Sequence, residues 1–219
     1  MTLRLAIFDC DGTLVDSQHG IVSAMQGAFD AASLPRPERA EILSIVGLSL
    51  PNAMARLLPE ADAGFHHVMV ENYKRSFFEM RANGTLREPL YDGIGALLDA
   101  LEAQGWLLAV ATGKSDRGLN AVLAHHGVLE RFVSLQTADR HPSKPHPSMI
   151  ETALRDAGVA RENAVMIGDT SFDMLMARAA GVAALGVGWG YHTVDELRNA
   201  GAHSVAMDSA ELARHIGLA

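Results

Sequence analysis

A short apolar run near the start of the chain passes directly into a cluster of carboxylates, and this junction limits the possible folds more than any other stretch. Residues 3–8 read Leu-Arg-Leu-Ala-Ile-Phe, which has the length and composition of a buried strand, and Asp9 and Asp11 follow it. In a parallel α/β sheet the carboxyl ends of the strands form the ligand-binding edge, because the loops diverge there and helix N-termini offer unpaired N–H groups. The chain is therefore predicted to place two carboxylates at such an edge.

Asp9 and Asp11 stand two residues apart on a nearly extended segment, so both side chains can address one small polar volume. Two close carboxylates repel each other unless a cation or a shared proton offsets their charge. The economical interpretation is a divalent metal with phosphate chemistry beside it. The alternative is a strand end closed by a turn-forming Asp-Gly pair, and these residues alone leave both open.

The stretch from residue 17 to residue 83 has helical periodicity and contains no strand-like run. Four helices are predicted within it: one that begins near residue 17, short ones over 38–45 and 51–58, and a long one that ends near Asn83. We therefore predict a helical unit, residues 17–83, inserted into a core that is formed by residues 1–16 and 84–219.

From Leu90 onward the chain alternates between helical and strand-like segments. Apolar runs predict strands over residues 106–111, 132–135, 164–167 and 182–187 and a short strand over 204–207. Strands that are apolar on both faces and separated by helices are typical of a parallel sheet covered by helices on both sides. The predicted fold class is α/β, a doubly wound, Rossmann-like parallel sheet with an inserted α-helical cap over its carboxyl edge.

The charge of the chain removes one large class of partners. Its 18 basic and 26 acidic side chains give a formal net charge of −8, which disfavours nucleic acid as the main partner. The chain enters a strand at once and has no span of about 20 apolar residues, the length that a membrane helix needs. A soluble, cytoplasmic protein without membrane contact is predicted.

Cys10 is the only cysteine, so no intrachain disulfide can form and a reducing compartment fits. It lies between Asp9 and Asp11, but alternation along a strand turns its side chain away from theirs. We predict a small core residue there rather than a nucleophile.

Polar clusters also follow three later strands. Thr112 and Gly113 offer a hydroxyl and an N–H group that suit phosphate oxygens, although such residues also serve as ordinary helix caps. Lys144 lies between a serine and a proline, which suits either a fixed role against negative charge or a solvated turn. Asp169 and Asp173 stand at a strand-to-helix junction and indicate a hard-cation site, with a helix cap as the alternative for one of them.

Together with the first acid pair, these clusters resemble the four signature motifs of the haloacid dehalogenase superfamily, in the same order. The resemblance is carried by Asp-Cys-Asp-Gly-Thr at 9–13, Thr-Gly at 112–113, Lys-Pro at 144–145 and Gly-Asp at 168–169 with Asp173. It covers nearly the whole chain, since the helical unit stands where that superfamily inserts its first type of α-helical cap. The motifs are specific for the superfamily and poorly specific for the substrate.

The resemblance implies a role for each matching residue. Asp9 would be the nucleophile that forms an aspartyl-phosphate, and Asp11 would be the general acid and then the general base. Thr112 and the N–H of Gly113 would hold phosphate oxygens, and Lys144 would offset negative charge on Asp9 and on the transferring group.

The resemblance also implies Mg²⁺ as the cofactor. The Asp9 side chain, the Asp11 backbone carbonyl and Asp169 would bind the ion, and Asp173 would be a further ligand or would orient one.

Asp11 favours phosphoryl transfer, because the dehalogenases of the superfamily need neither metal nor this second acid. Residues 14–17 and 188–192 are similar to phosphoglycolate-phosphatase-like hydrolases, so the expected partner is a small phosphorylated metabolite, with phosphoglycolate as the best single candidate. Pyrophosphatase, nucleotidase and phosphomutase activities are alternatives within the superfamily. A non-catalytic binding or regulatory protein on the same scaffold is the alternative from another class.

Two further expectations concern the cap and the assembly. Arg75 on the long helix is a candidate contact for a substrate carboxylate, because a guanidinium matches a carboxylate in bidentate geometry. A monomer and a homodimer are both compatible with the sequence.

Overall fold

A sheet of six parallel strands runs through the computed structural model, which describes residues 2–218. The strands are β1 (Arg4–Phe8), β2 (Trp106–Thr112), β3 (Phe132–Thr137), β4 (Ala164–Gly168), β5 (Ala183–Val187) and β6 (Ser204–Ala206). Their order across the sheet is β3-β2-β1-β4-β5-β6, and each neighbouring pair is parallel. The chain thus starts near the centre of the sheet and builds outward to both edges. This confirms the predicted doubly wound parallel sheet.

Ten α-helices accompany the sheet within the same residues. They are α1 (Gln18–Ala31), α2 (Arg39–Leu43), α3 (Leu50–Leu57), α4 (Ala63–Ala82), α5 (Ile94–Ala103), α6 (Asp116–His125), α7 (Ser148–Ala157), α8 (Ser171–Ala180), α9 (Val194–Ala200) and α10 (Ser209–Ile216). Short 3₁₀ turns, Leu129–Arg131 and Arg161–Asn163, lead into β3 and β4. The ends of the predicted strands and of the short helices differ from these by one or two residues, the range in which helix and strand ends are poorly determined by pattern.

Alternation along the strands produces two buried layers, one on each face of the sheet. One layer joins β1, β2 and β4 to α7, α8 and α9 through Leu5, Ile7, Ala109, Met149, Met166, Met174 and Leu197. The other joins the same strands to α5, α6 and α10 through Ala6, Phe8, Val110, Leu98, Leu119, Ile167 and Leu212. The sheet therefore has helices on both faces, which explains why its strands are apolar throughout rather than alternating between apolar and polar residues.

The four helices of residues 18–82 pack mainly on one another and form a third cluster of buried apolar side chains. Met54 and Met69 are fully buried in this cluster. Flexible methionine side chains fill irregular gaps between helices, and here they contribute to the packing of the segment on itself.

Two chain crossings join this helical segment to the sheet, and backbone hydrogen bonds pair them with each other. The Asp16 N–H donates to the Pro89 carbonyl oxygen at 2.8 Å, and the Tyr91 N–H donates to the Leu14 carbonyl oxygen at 3.0 Å. The assignment of residues 17–83 as a separate cap domain, with residues 1–16 and 84–219 as the core, is still a prediction.

The helical segment touches the carboxyl edge of the sheet. The Ser49 N–H donates to the Ser143 hydroxyl at 2.8 Å. The carbonyl oxygens of Gly47 and Leu48 lie so close to Gly113 that a Cβ atom at this position would stand 2.6 Å from each of them. Only glycine fits there, and the loop before α3 thus lies directly against the loop that follows β2.

Within residues 2–218, no helix has both the length and the hydrophobicity that crossing a membrane requires. The cytoplasmic location stays a prediction.

Candidate active site

Four charged side chains from distant parts of the sequence meet at the carboxyl edge of the sheet. Asp9 follows β1, Lys144 lies between β3 and α7, Asp169 follows β4, and Asp173 lies in the first turn of α8. Each is at most 1% exposed to solvent. The structure therefore brings together the acids and the lysine that the sequence analysis singled out.

Lys144 stands between two of these carboxylates. Its Nζ donates a hydrogen bond to Asp173 Oδ1 at 2.7 Å and lies 2.9 Å from Asp9 Oδ2. Burial opposes the charge of this side chain, but the two carboxylates outweigh burial and raise the pKa of Lys144 above its usual value. The ammonium group is therefore positively charged at neutral pH.

Asp173 also begins the helix on which it lies. Its Oδ2 accepts hydrogen bonds from the N–H of Thr170 at 3.0 Å and from the Thr170 hydroxyl at 2.7 Å. Thr170 precedes α8, so this is a capping box that uses an aspartate. Both oxygens of Asp173 are thus engaged by protein donors, one by the cap and one by Lys144.

Asp169 is held from two sides. Its Oδ1 accepts a hydrogen bond from the Thr13 hydroxyl at 2.8 Å, and its Oδ2 accepts one from the Tyr191 N–H at 2.9 Å. Gly12 and Gly190 allow this packing, because a Cβ atom at either position would stand 2.2 Å from an atom of Asp169. Gly12 also has a φ of +85°, which glycine adopts without strain.

The carboxylates at this edge fit a divalent metal. Oxygen atoms of Asp9, Asp169 and Asp173 lie within 4.8 Å of one another. Asp9 Oδ2 is buried and lies 2.9 Å from the Lys144 ammonium. Mg²⁺ prefers oxygen ligands and keeps several waters when proteins bind it. Three carboxylates, of which Asp9 and Asp173 contact Lys144, supply the required ligand type and leave excess negative charge.

Burial and repulsion among these acids change their proton affinity. Burial raises the pKa of Asp9 to about 7, with Lys144 opposing the rise and Asp173 adding to it. Burial, followed by the charges of Asp9 and Asp173, raises the pKa of Asp169 above its usual range. A doubly charged cation would remove the repulsion that causes part of these shifts.

Asp11 lies beside this group and is held by a second lysine. Its Oδ1 accepts hydrogen bonds from Lys114 Nζ at 2.8 Å and from the Ser17 hydroxyl at 2.5 Å. Lys114 also donates to Glu88 Oε1 at 3.0 Å. Burial opposes the charge of Lys114, but Asp11 and Glu88 outweigh burial and raise the pKa of this lysine. Lys114 is therefore a charged group inside the site.

The sequence patterns predict no role for Lys114 or Glu88. The position of Lys114 directly after Thr112 and Gly113 is a signal that could have identified it. Glu88 carries no such signal, because it lies in the connection between α4 and α5 and meets Lys114 only through the fold.

Thr112 is buried at the end of β2, and its Oγ1 accepts a hydrogen bond from the Lys114 N–H at 3.2 Å. This bond shapes the loop that contains Gly113. The loop follows β2 at the same edge of the sheet as Lys144 and the acids. Phosphate binding by Thr112 and Gly113 is still a prediction.

Arg75 lies outside this group of side chains. It is exposed on α4, two residues from Tyr73, so the two side chains leave the helix roughly 200° apart. Tyr73 stacks on Phe77 with ring centroids 5.8 Å apart, and Lys114 Nζ lies 5.4 Å from the Phe77 centroid. In this arrangement α4 turns Tyr73 and Phe77 toward the site. Substrate contact by Arg75 stays a prediction.

Cys10 is fully buried in the apolar layer on one face of the sheet. Burial raises the pKa of its thiol well above the usual value, so the thiolate is disfavoured. The prediction of a core residue at this position is confirmed.

Comparison with known families agrees with this geometry. Residues 6–187 match the family model described as haloacid dehalogenase-like hydrolase, and this range contains every charged side chain of the site. The chain belongs to the haloacid dehalogenase-like hydrolase family. The resemblance drawn from the four motifs is thereby confirmed, and so is the classification of the chain as a hydrolase of this type.

Several relatives of this hydrolase have names that specify an activity. It is 39% identical over 203 residues to the probable phosphatase IndB of Dickeya dadantii, with 90% of this chain and 86% of the relative covered. It is 31% identical to a 5′-nucleotidase of Pseudomonas aeruginosa, with 94% and 91% covered. It is 28% identical to the phosphoglycolate phosphatase of Vibrio cholerae, with 96% of each chain covered.

The fold of this haloacid dehalogenase-like hydrolase also has close matches among solved structures. The crystal structure of a predicted phosphatase from Clostridium acetobutylicum superposes with a TM-score of 0.88 at 27% identity, and 99% of each chain is covered. The helical segment and the sheet are thus both shared with that structure.

Proposed function

We propose that this haloacid dehalogenase-like phosphatase is Mg²⁺-dependent and acts on a small phosphomonoester, with phosphoglycolate as the first candidate. The observation that carries the proposal is the buried group of Asp9, Asp169 and Asp173, which lies beside Asp11 and in which Lys144 contacts Asp9 and Asp173. A nucleophile, a proton carrier, a fixed cation and a set of metal ligands are the parts that phosphoryl transfer to a carboxylate requires.

The proposed reaction has two steps. In the first, an oxygen of Asp9 forms a bond to phosphorus, the bond from phosphorus to the leaving oxygen breaks, and Asp11 gives its proton to that oxygen. In the second, Asp11 takes a proton from water, the water oxygen bonds to phosphorus, and the bond from phosphorus to Asp9 breaks. Phosphate and the original enzyme are the products.

The residues around the transferring group would stabilise its negative charge. Lys144 is held beside Asp9 with its charge intact and with no freedom to turn away, because Asp173 fixes it from the other side. Thr112 and the N–H of Gly113, at the end of β2, would bind the phosphoryl oxygens.

Mg²⁺ would be held by Asp9, by the backbone carbonyl of Asp11 and by Asp169. When bound, the ion would supply positive charge next to the phosphoryl oxygens. Asp173 is better suited to orient Lys144 than to bind the ion directly, since both of its oxygens already accept hydrogen bonds from protein groups.

The enclosure of the site supports a small leaving group. Asp9 and Asp169 are almost fully buried, and the loop containing Gly47 and Leu48 lies against Gly113. The nucleotidase named among the relatives nevertheless makes a nucleoside monophosphate the second candidate substrate.

Phosphate release from a panel of esters tests the proposal. The panel contains phosphoglycolate, a nucleoside 5′-monophosphate, a hexose phosphate and pyrophosphate, each assayed with Mg²⁺ and with a chelator. We expect release that requires Mg²⁺ and that is abolished by Asp9→Asn and by Asp169→Asn. Asp195→Asn, on the exposed first turn of α9, is the matched control and should leave the rates unchanged.

Two results would contradict the proposal and point to its alternatives. Product formation without net phosphate release, with a trapped phosphoenzyme, would indicate a phosphomutase. Absence of both release and phosphoenzyme with every ester would favour a non-catalytic binding or regulatory protein on this scaffold.

A further inference from the structure

Arg81, Glu88, Lys114 and Asp11 form a row of alternating charge from the end of α4 to the active site. Arg81 lies 3.0 Å from Glu88 Oε2, Lys114 Nζ lies 3.0 Å from Glu88 Oε1, and Lys114 Nζ lies 2.8 Å from Asp11 Oδ1. The side chains of Glu88 and Lys114 are 7% and 8% exposed, so water and salt screen these pairs weakly. The row thus links a residue of the helical segment to Asp11.

The two oxygens of Asp11 have different surroundings. Oδ1 accepts the hydrogen bonds from Lys114 and Ser17, whereas no group in the described part of the chain donates to Oδ2. Although it lacks a donor, Oδ2 is not fully buried, so it faces accessible space. A carboxyl group that is fixed through one oxygen keeps the other for proton exchange with a bound substrate.

Lys114 bonds to Glu88 as well as to one oxygen of Asp11. A lysine ammonium has three donors on a flexible stem, and it turns to whichever acceptors are near. Here Nζ donates to Glu88 Oε1 at 3.0 Å as well as to Asp11 Oδ1 at 2.8 Å, and it lies 5.4 Å from the centroid of the Phe77 ring. With Glu88 neutral, the buried ammonium would face Asp11 as its one negative partner in this row, and it would shift onto that carboxylate.

We propose that Glu88 is a positioning residue that acts through Lys114 to hold Asp11 with Oδ2 turned toward the leaving group. The inference rests on the proposed function, because it takes Asp11 as the source of the proton that reaches the leaving oxygen as its bond to phosphorus breaks. Arg81, near the C-terminus of α4, offsets negative charge on the second oxygen of Glu88. The geometry of the row therefore depends on the position of that end of α4.

Two aryl phosphates of similar size test this role: phenyl phosphate and 4-nitrophenyl phosphate. Phenolate is the more basic leaving group, so its departure needs the proton from Asp11 far more than the departure of 4-nitrophenolate does. Glu88→Gln keeps the shape of the side chain and removes its charge. We expect kcat/KM for phenyl phosphate, which reports the step that releases the leaving group, to fall about 10- to 100-fold, the range typical of losing an orienting partner. For 4-nitrophenyl phosphate we expect a fall of less than about threefold, with KM for both esters little changed.

Controls separate positioning from loss of structure. Glu71→Gln removes an exposed carboxylate of α4 that pairs with Lys74, and it should leave both rates unchanged. Thermal unfolding of each variant checks that it is folded at the assay temperature. If Glu88→Gln does not fold, Arg81→Gln weakens the same row from its outer end. It should also slow the hydrolysis of phenyl phosphate more than that of 4-nitrophenyl phosphate, with a smaller loss.

The outcomes distinguish this inference from the proposed function. Equal losses on the two esters, or no loss on either, would overturn the positioning role of Glu88. If Asp11→Asn also affects both esters equally, or if the wild-type protein with Mg²⁺ releases phosphate neither from these esters nor from the earlier panel, the proposed function has failed and the inference falls with it.

Discussion

Lys144 and Asp173 form an ion pair of 2.7 Å in which neither side chain is exposed to solvent. Asp9 lies 2.9 Å from the same ammonium, so this lysine offsets the charge of two buried acids. Charges taken out of water are costly unless their partners stay in place, because the interior cannot solvate them. The stability and the chemistry of this edge of the sheet therefore depend on the same side chain.

Lys144→Met should destabilise the protein strongly in the absence of metal. Removing one partner of a buried ion pair costs about 3–5 kcal/mol in the free energy of unfolding, because the remaining charge is left without compensation. Urea unfolding with a chelator present measures this change. Lys74→Met is the matched control: it breaks an exposed pair with Glu71, and we expect a change within about 0.5 kcal/mol. Similar losses in the two variants would contradict the role of burial.

The stability of the metal-free protein should fall as pH rises toward neutrality. Burial raises the pKa of Asp9 to about 7 in the folded state, whereas an aspartate of the unfolded chain has a pKa of about 3.9. Between these two pKa values the folded state keeps a proton that the unfolded state has released. The contribution of Asp9 to the free energy of unfolding is therefore fully present below the unfolded pKa and is lost as pH rises through the folded pKa. The raised pKa of Asp169 acts in the same direction.

Urea midpoints measured from pH 5 to pH 8 with a chelator, for the wild-type protein and for Asp9→Asn, test this slope. The variant should show a flatter dependence on pH. His141 has a lowered pKa and works in the opposite direction, but it is present in both proteins and cancels in the comparison. Saturating Mg²⁺ should stabilise the wild-type protein most at the higher pH values, because metal and protons compete for the same oxygens. Parallel curves for the two proteins would rule out Asp9 as the source.

Gly190→Ala should weaken metal binding although it replaces none of the proposed metal ligands. A Cβ atom at this position would stand 2.2 Å from Asp169, so either the carboxylate or the loop must move. We expect the rise in melting temperature caused by Mg²⁺ to shrink in a thermal-shift titration, and phosphatase activity to fall with it. Gly95→Ala in α5 has open space around its Cβ and should keep the wild-type response. An unchanged Mg²⁺ response in Gly190→Ala would contradict the tight packing described for Asp169.

Tyr73 and Arg75 offer a direct comparison of the two faces of α4. Tyr73 is turned toward Lys114 through its stacking on Phe77, whereas Arg75 is exposed on the other side of the helix. We expect Tyr73→Ala to raise KM about tenfold, since an aromatic side chain turned toward the site is placed to contribute apolar contacts to a bound substrate. Arg75→Ala should leave KM within about twofold. A larger rise in KM for Arg75→Ala than for Tyr73→Ala would instead support the contact predicted from the sequence.

Much of the fold and of the site was predictable because the relevant signals are local. The apolar runs of β1, β2, β4 and β5 are continuous, which is a property of strands buried on both faces. The carboxyl ends of parallel strands share one edge, so Asp9, Lys144 and Asp169 had to come near one another once the sheet was predicted. Helix and strand ends were less accurate, because capping contacts such as that between Thr170 and Asp173 decide them.

The sequence by itself determined the sheet, its two covered faces and the charged residues that meet at its carboxyl edge. Tertiary structure alone decided which groups hold those residues: Glu88 reaches Lys114 across the connection from α4, the Tyr191 N–H reaches Asp169, and Phe77 on α4 lies beside Lys114. Strand and helix patterns repeat every few residues and can be recognised in a short window. Contacts between segments far apart in the sequence depend on the distances and angles at which those segments pack, and no local pattern specifies them.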